Sequence, residues 1–436
     1  MPATAAAAAP ADPGRLRTLQ SQIFGLLWTG YASYYLCRVN FAVAQPEILK
    51  EFPTWTAAQI GLIPSVYAAF YAAGQFINGQ LGERLGARRM MTVAMILAAA
   101  TNLGFAFTSS YAVMLALWAV NGYVQSAGWS LVVKTLSNWT TVQRRGMMVG
   151  LISTSYQVGN VLAWLLAGFL SEAMGWRAAF WVPSAILFPM AIVFGLFLRN
   201  DPADVGLPPV RDDLGSHGAG SHGTAEKLPA AEVLRMTLGN PLLWVLGVGY
   251  FCMNSVRYAF MNWAVTYMRE FQGRDIKGSA FTAVALPLIG AVGAVSAGWI
   301  SDALFHKRRA PVCAVMLFGL AAVCVGFVYV PQGQWVVATA MLGLAGFLVY
   351  GPDMLMSGAA SVDLAHPRAA AAATGFTMAM GATGAIFSGA GVGWLKDVTA
   401  AQGTGSPWSL IFYVLAGLSV VSALLMVSIW NAKPRG

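Results

Sequence analysis

Gly30-Tyr31-Ala32-Ser33-Tyr34-Tyr35-Leu36-Cys37-Arg38 and Gly249-Tyr250-Phe251-Cys252-Met253-Asn254-Ser255-Val256-Arg257 set an arginine at the same distance from a Gly-Tyr pair, inside otherwise apolar sequence. The correspondence continues outward. Gly79-Gln80-Leu81-Gly82-Glu83-Arg84 follows Arg38 as Gly298-Trp299-Ile300-Ser301-Asp302 follows Arg257, with a constant offset of 219 residues. The chain is therefore an internal repeat with one cation inside each copy. A charge inside a membrane-spanning segment is costly and marks a functional site by default. Two of them related by a repeat point to one anion site between the halves.

The surrounding composition makes the membrane reading necessary. Of 436 residues, 57% are hydrophobic and only 10% charged, against about 25% charged in soluble domains. Apolar runs long enough to cross ~30 Å of hydrocarbon recur at 21–45, 57–82, 90–108, 111–136, 146–172, 178–198, 241–269, 279–301, 310–330, 334–361, 369–395 and 406–430. The short alternating segments of a membrane barrel are absent. The expected fold is an all-α membrane protein of twelve transmembrane helices in two pseudo-symmetric six-helix bundles. Its divisions are a tail 1–20, a bundle 21–198, a linker 199–240, a bundle 241–430 and a tail 431–436. The linker is rich in Pro, Gly and Ser, and its His217 and His222 read as part of a solvated tract rather than a metal site.

The net charge of +9 is topological. Of 26 lysines and arginines, 18 fall on the side shared by the two termini, six on the other, and Arg38 and Arg257 lie within spans. That asymmetry places both termini in the cytoplasm and removes the reason to expect a nucleic-acid partner. No cleavable signal is evident in residues 1–20. Cys37, Cys252, Cys313 and Cys324 all fall within spans, without metal-ligand spacing.

Helical periodicity aligns Tyr31, Tyr34, Tyr35 and Arg38 on one stripe of the first span, and Tyr250, Asn254, Arg257 and Met261 on one stripe of the seventh. Tyr67, Tyr71, Gln75 and Asn78 do the same on the second, and Ser153, Tyr156, Gln157 and Asn160 on the fifth. No carboxylate lies inside the first, second, seventh or eighth span to neutralise the arginines. Arginine keeps its proton, and two of them at mid-membrane cost ~5–7 kcal/mol together. Its planar fork of donors matches phosphate or carboxylate. A phosphomonoester carries about −1.5 to −2 charge near neutral pH, which balances two guanidinium groups. A phosphorylated small molecule, inorganic phosphate or a dicarboxylate is thus favoured. No nucleophile–base set, cofactor motif or metal cluster accompanies the arginines, so neither an enzyme nor a cofactor is expected.

Two further charges remain open. Lys134 lies toward the terminal-side end of the fourth span and Asp353 in the tenth, at corresponding repeat positions. They fit a pair across a gate, a protonatable coupling acid at Asp353, or local pairing only. None of the four histidines falls in a span, which argues against a histidine proton relay.

The doubled loop, Gly79-x-x-Gly82-Glu83-Arg84-x-Gly86-x-Arg88-Arg89 and Gly298-x-x-Ser301-Asp302 with Lys307-Arg308-Arg309, resembles the signature of the major facilitator superfamily. There the acid at a helix end and the nearby cations form a breakable latch, which implies gating roles for Glu83, Arg84 and Asp302. The first arginine motif through Asn40-Phe41 looks like the organophosphate:phosphate antiporters, the group of the glycerol-3-phosphate, hexose-phosphate and phosphoglycerate carriers. So do Asp201-Pro202-Ala203-Asp204-Val205-Gly206-Leu207-Pro208, Val256-Arg257-Tyr258 with Asn262-Trp263, and Tyr350-Gly351-Pro352 with Ala373-Thr374-Gly375-Phe376. The resemblance implies exchange of a small organophosphate for inorganic phosphate by a monomeric carrier of the bacterial inner membrane. Arg38 and Arg257 would clamp the phosphate, with Tyr31, Tyr35 and Tyr71 as cavity tyrosines; Gln75, Tyr156 and Asn254 join the candidate site from their polar stripes. It also implies a second function, since one branch of the group senses sugar phosphate. A third, proton-coupled transport of another organic anion, follows from Asp353. The chain departs from the group at Gln75 (usually lysine), Tyr156 (histidine in glycerol-phosphate carriers), Ser130-Leu131 (Pro-Pro), Asn262 (Asp) and Ala382 (Tyr), so the clamp is kept while its surroundings differ.

Overall fold

Every described element is a helix. The computed structural model describes residues 13–208, 210, 230–305, 308–366, 369–402 and 406–432; the linker histidines His217 and His222 lie outside them. In the first half, α1 (Pro13–Leu36) and α2 (Asn40–Glu51) form one broken crossing. It is followed by α3 (Ala57–Leu85), α4 (Ala87–Phe107), a second broken crossing α5 (Tyr111–Gln125) and α6 (Gly128–Trp139), then α7 (Val142–Met174) and α8 (Ala178–Phe197). Two parts of the stretch expected as linker are folded: a 3₁₀ turn, Pro202–Val205, and α9 (Ala230–Leu238). At its start the Asp204 carboxylate accepts from Asn200 N at 2.8 Å and Asp201 N at 3.4 Å, satisfying N–H groups that a helix start leaves open.

The second half runs through α10 (Pro241–Glu270), α11 (Ile276–Ala283) with α12 (Ala285–Ala303), and α13 (Arg309–Val328). After it come α14 (Trp335–Met354) with a π turn Leu355–Ala360 and the short α15 (Ser361–Asp363), then α16 (Ala370–Gln402) and α17 (Pro407–Ser428). Eight crossings are long and apolar enough to span a membrane by length and composition alone. The other four are α1–α2, α3, α5–α6 and α10. They carry Arg38, Tyr71 with Gln75, Asn121 with Gln125, and Arg257, so breaks and polar side chains lower their apolarity. The repeat offset carries α3 onto α11–α12. It carries the α1–α2 break, however, onto the uninterrupted α10, so the halves are alike in plan and different in detail.

The break at Cys37-Arg38-Val39 is built by side chains. Cys37 O would ordinarily accept from Phe41 N, but that N–H donates to Asn40 Oδ1 at 3.1 Å. The freed Cys37 carbonyl instead accepts from Asn102 Nδ2 (3.0 Å), Asn121 Nδ2 (2.9 Å) and Gln125 Nε2 (2.9 Å). Asn40, Asn102, Asn121 and Gln125 are all fully buried, where an unpaired amide would be expensive. They therefore specify the break and aim Arg38.

The halves meet at the end remote from the chain termini. There α3 packs on α16, α7 on α11 and α2 on α10. A methyl group on Gly61 would strike the Gly389 carbonyl, and one on Gly393 the Ala57 carbonyl, so only glycine permits this backbone approach. Asp397 of α16 accepts from the first two N–H groups of α3, Ala57 N to Oδ1 at 2.9 Å and Ala58 N to Oδ2 at 2.8 Å. Arg269 Nε donates to Glu47 Oε1 at 2.9 Å, and Ala390 N to Ser65 Oγ at 2.9 Å. One hydrophobic core runs through the second half into this end of the first, while the terminal end of the first half has a separate core around Leu27, Tyr34, Met95 and Phe194. Among the described residues these contacts between the halves all lie at the end remote from the termini.

Two outcomes are expected. Gln125→Leu removes one donor from the Cys37 carbonyl and strands Arg38 Nε, so it should lower stability by ~1–3 kcal/mol, read as a lower thermal midpoint in detergent; an unchanged midpoint would contradict this assignment. Asp397→Asn loses the anion at a helix N-terminus, ~1–2 kcal/mol. It should shift the closed remote end toward opening by roughly tenfold, read from the distance between spin labels on the exposed Thr54 and Gln402. An unaltered distance distribution would remove Asp397 from the gate.

Candidate functional site

Arg38 sits in the helix break with neutral partners only, among the described residues. Its Nε donates to Gln125 Oε1 at 2.9 Å, Nη1 to Tyr35 Oη at 3.2 Å and Nη2 to the Gln125 carbonyl at 3.4 Å. The guanidinium lies over the rings of Tyr35 (4.7 Å) and Tyr71 (4.9 Å). Cation–π contact and carbonyl dipoles offset part of its desolvation, but no carboxylate cancels its charge.

Arg257 is placed differently. It lies in mid-helix on α10, over Tyr258 (5.1 Å) and Tyr350 (4.9 Å). Its Nη1 donates to Asn254 Oδ1 at 3.3 Å and to Asp353 Oδ1 at 3.0 Å. Its Nε is buried without a hydrogen-bond partner. The Asp353 oxygen also accepts from Tyr250 Oη at 2.9 Å. The expectation that no carboxylate neutralises the arginines is therefore corrected at Arg257: the acid arrives from α14, not from the four spans searched for it. The gate pair Lys134–Asp353 is corrected as well. Asp353 pairs with Arg257, while Lys134 Nζ reaches the Gly82 carbonyl at 3.4 Å on the first half. The repeat relation between positions 134 and 353 does not make their side chains neighbours.

The aromatic residues connect the two arginines. Tyr35 packs beside Tyr156 (6.3 Å between ring centroids) and Tyr31 (5.8 Å), and Trp129 closes against Tyr31 (5.5 Å) and Tyr156 (6.2 Å). Tyr156, on the first half, lies within electrostatic range of Arg257 and Asp353 on the second. Tyr35 and Tyr258 are similarly related across the interface. Arg38, Tyr35, Tyr156 and Arg257 are thus brought into one region between the halves. Gln75, one turn beyond Tyr71, is exposed. Asn78 is not part of that space: it donates to Tyr123 O (2.9 Å) and Ser126 Oγ (2.8 Å), tying α3 to α5.

Asp302 lies at the terminal end, where Arg309 Nη1 donates to Asp302 Oδ1 at 2.6 Å and to Ser301 Oγ at 3.0 Å. Asp363 Oδ2 stands 3.5 Å from Arg309 Nε. This cluster stays within the second half. The side chains of Glu83 and Arg84 lie outside the described residues. Gln125, Trp129, Tyr258 and Tyr350 are site residues absent from the periodicity reading. Gln125 had a signal in sequence, a pair of amides at Asn121 and Gln125 on one face of an apolar span; Trp129 had none.

Comparison with known proteins agrees with this architecture. Residues 27–389 match the Major Facilitator Superfamily. A probable hexose phosphate transport protein of Chlamydia pneumoniae is 30% identical over 95% of this chain and 92% of its own length. The membrane sensor protein UhpC of Salmonella typhimurium is 31% identical over 97% and 94%, and the glycerol-3-phosphate transporter of Bacillus subtilis 28% over 96% and 94%. A crystal structure of a bacterial homolog of the human lysosomal transporter Spinster, inward-facing and unoccupied, superposes with a TM-score of 0.76 over 97% of this chain and 96% of that one, at 17% identity. That likeness concerns the fold. The family is one of membrane transporters, not enzymes. With a family match over most of the chain and full-length relatives at and above 30% identity, the chain belongs to the major facilitator superfamily and, within it, to the organophosphate:phosphate antiporter family.

Proposed function

We propose that this protein carries a small organophosphate, of the sugar-phosphate or glycerol-phosphate class, across the bacterial inner membrane in exchange for inorganic phosphate. Arg38 and Arg257 hold the phosphoryl group. The observation that carries this reading is an arginine from each half set among tyrosines, the first without a carboxylate partner among the described residues and the second with a buried, unpartnered Nε. Donors left open in a buried site favour an anion that brings its own acceptors. The names of the relatives support the organophosphate class. The excess of lysine and arginine on the terminal side supports cytoplasmic termini, so an opening opposite the remote-end contacts would face the cytoplasm.

Transport follows from where the halves touch. The anion lies between them, and the remote-end contacts of Asp397, Arg269 and the facing glycines are the ones alternating access has to break. A phosphate bridging Arg38 and Arg257 draws the halves together on their open side. Binding energy is thereby spent on the closed intermediate, which an empty carrier reaches less readily because the guanidinium charges repel.

A second reading is favoured by the similarity to the membrane sensor: a receptor with the same clamp that binds sugar phosphate and moves little of it. Counterflow of labelled phosphate in proteoliposomes separates the two, since a receptor binds without rapid exchange. In the same assay Arg38→Lys and Arg257→Lys should each reduce exchange by at least ~100-fold with folded protein retained in the membrane. Lysine keeps the charge but loses the planar fork, at ~1.5–3 kcal/mol per charged hydrogen bond. Near-normal exchange in either variant would end the clamp assignment.

A further inference from the structure

The two arginines are not equivalent, and the difference bears on what the site admits. Arg38 has only neutral partners among the described residues. Arg257 is paired with Asp353 at 3.0 Å, and both side chains are largely buried, at 17% and 18% exposed. Among the described residues the charged groups meeting there are thus Arg38, Arg257 and Asp353, with a sum of +1 rather than +2. Resting on the clamp reading above, we propose that Asp353 is a resident counter-anion of the site, so that a dianionic phosphate ester is bound only together with one proton.

The geometry sets up this competition. Asp353 Oδ1 takes Arg257 Nη1 and the Tyr250 hydroxyl, whereas Oδ2 has no hydrogen-bond partner among the described residues. The groups around the carboxylate are Arg257 and Tyr250 from α10, Tyr350 from α14 itself, and Tyr156 from α7 across the interface. No side chain of α12 or α13 pairs with it among the described residues. Arg257 is the one cation in that set. A phosphoryl dianion arriving at Arg257 would bring two negative charges against a third, buried and a few ångströms away. Like charges this close disfavour joint ionisation strongly. The strain is relieved when a proton from solvent joins Asp353 at its open Oδ2. The neutral acid keeps its bond from Tyr250 and releases Arg257 Nη1 to the phosphate. The balance is carrier (+1) plus dianion (−2) plus proton (+1), giving a neutral complex. A monoanion binding without protonation of Asp353 reaches the same composition.

The consequence separates this chain from a bare two-arginine clamp. Such a clamp takes the dianion directly, and its affinity is insensitive to pH once phosphate is fully ionised. Here binding is linked to one proton. Exchange of phosphate for a phosphate ester stays electrically balanced, because each anion travels with its own proton.

The test is binding of inorganic phosphate to the purified full-length carrier between about pH 7.5 and 8.5, with wild type beside Asp353→Asn. Wild-type affinity should fall about tenfold per pH unit, the slope of a one-proton linkage. Calorimetry in two buffers of different ionisation enthalpy should show one proton taken up per phosphate. In Asp353→Asn the slope and the proton uptake should both disappear. A pH-independent wild-type affinity without proton uptake overturns the proposal whether or not the variant folds, and so does a slope that persists in folded Asp353→Asn. Failure of wild type to bind phosphate at any pH from about 6 to 8.5 overturns the proposed function itself, and this inference with it.

Discussion

A guanidinium group held inside a membrane protein without a carboxylate partner among the described residues is the constraint on which the rest of the structure turns. Arg38 cannot discharge itself, and its position costs several kcal/mol. The chain meets that cost with neutral groups: the amide and carbonyl of Gln125, the hydroxyl of Tyr35, and the faces of Tyr35 and Tyr71. Each partner is itself positioned by something else. Gln125 is fixed by Asn121 and by the Cys37 carbonyl, and that carbonyl is free only because Asn40 breaks the helix. A chain of buried amides across α2, α4 and α5 therefore serves one cation.

The second half treats its arginine in the opposite way, giving it an acid and leaving its helix whole. This asymmetry lies inside a repeat whose spacing is otherwise constant. Duplicated halves supply the plan of an alternating carrier, while the charges at the centre are free to diverge. Divergence at one position, an acid in α14, alters the electrostatics of the whole site without disturbing the fold.

The fold was legible in sequence because hydrocarbon imposes a length and apolarity that few other environments demand, and because the repeat doubled each signal. Arg38 and Arg257 were legible for the same reason: a charge in an apolar run stands out. Helix breaks were not, since Cys37-Arg38-Val39 contains neither glycine nor proline, and the amides that cause the break come from residues 40, 102, 121 and 125. The partner of Asp353 was not legible, because repeat symmetry relates positions, not side-chain directions; of the readings left open for it, the structure shows a local pair, with Arg257. α9 and the 3₁₀ turn were not legible because a polar, proline-rich stretch reads as uniform linker even where the Asp204 carboxylate holds the start of a turn.

The central claim is that one tetrahedral oxyanion is held by both arginines at once. Tungstate, an electron-dense analogue of phosphate, locates such an anion directly when a structure of the carrier is determined in its presence. The expected result is a single strong peak between Arg38 and Arg257, with oxygens at about 2.7–2.9 Å from donors of both guanidinium groups. A peak that touches only one arginine, or that lies elsewhere while the space between them holds no anion, would contradict it.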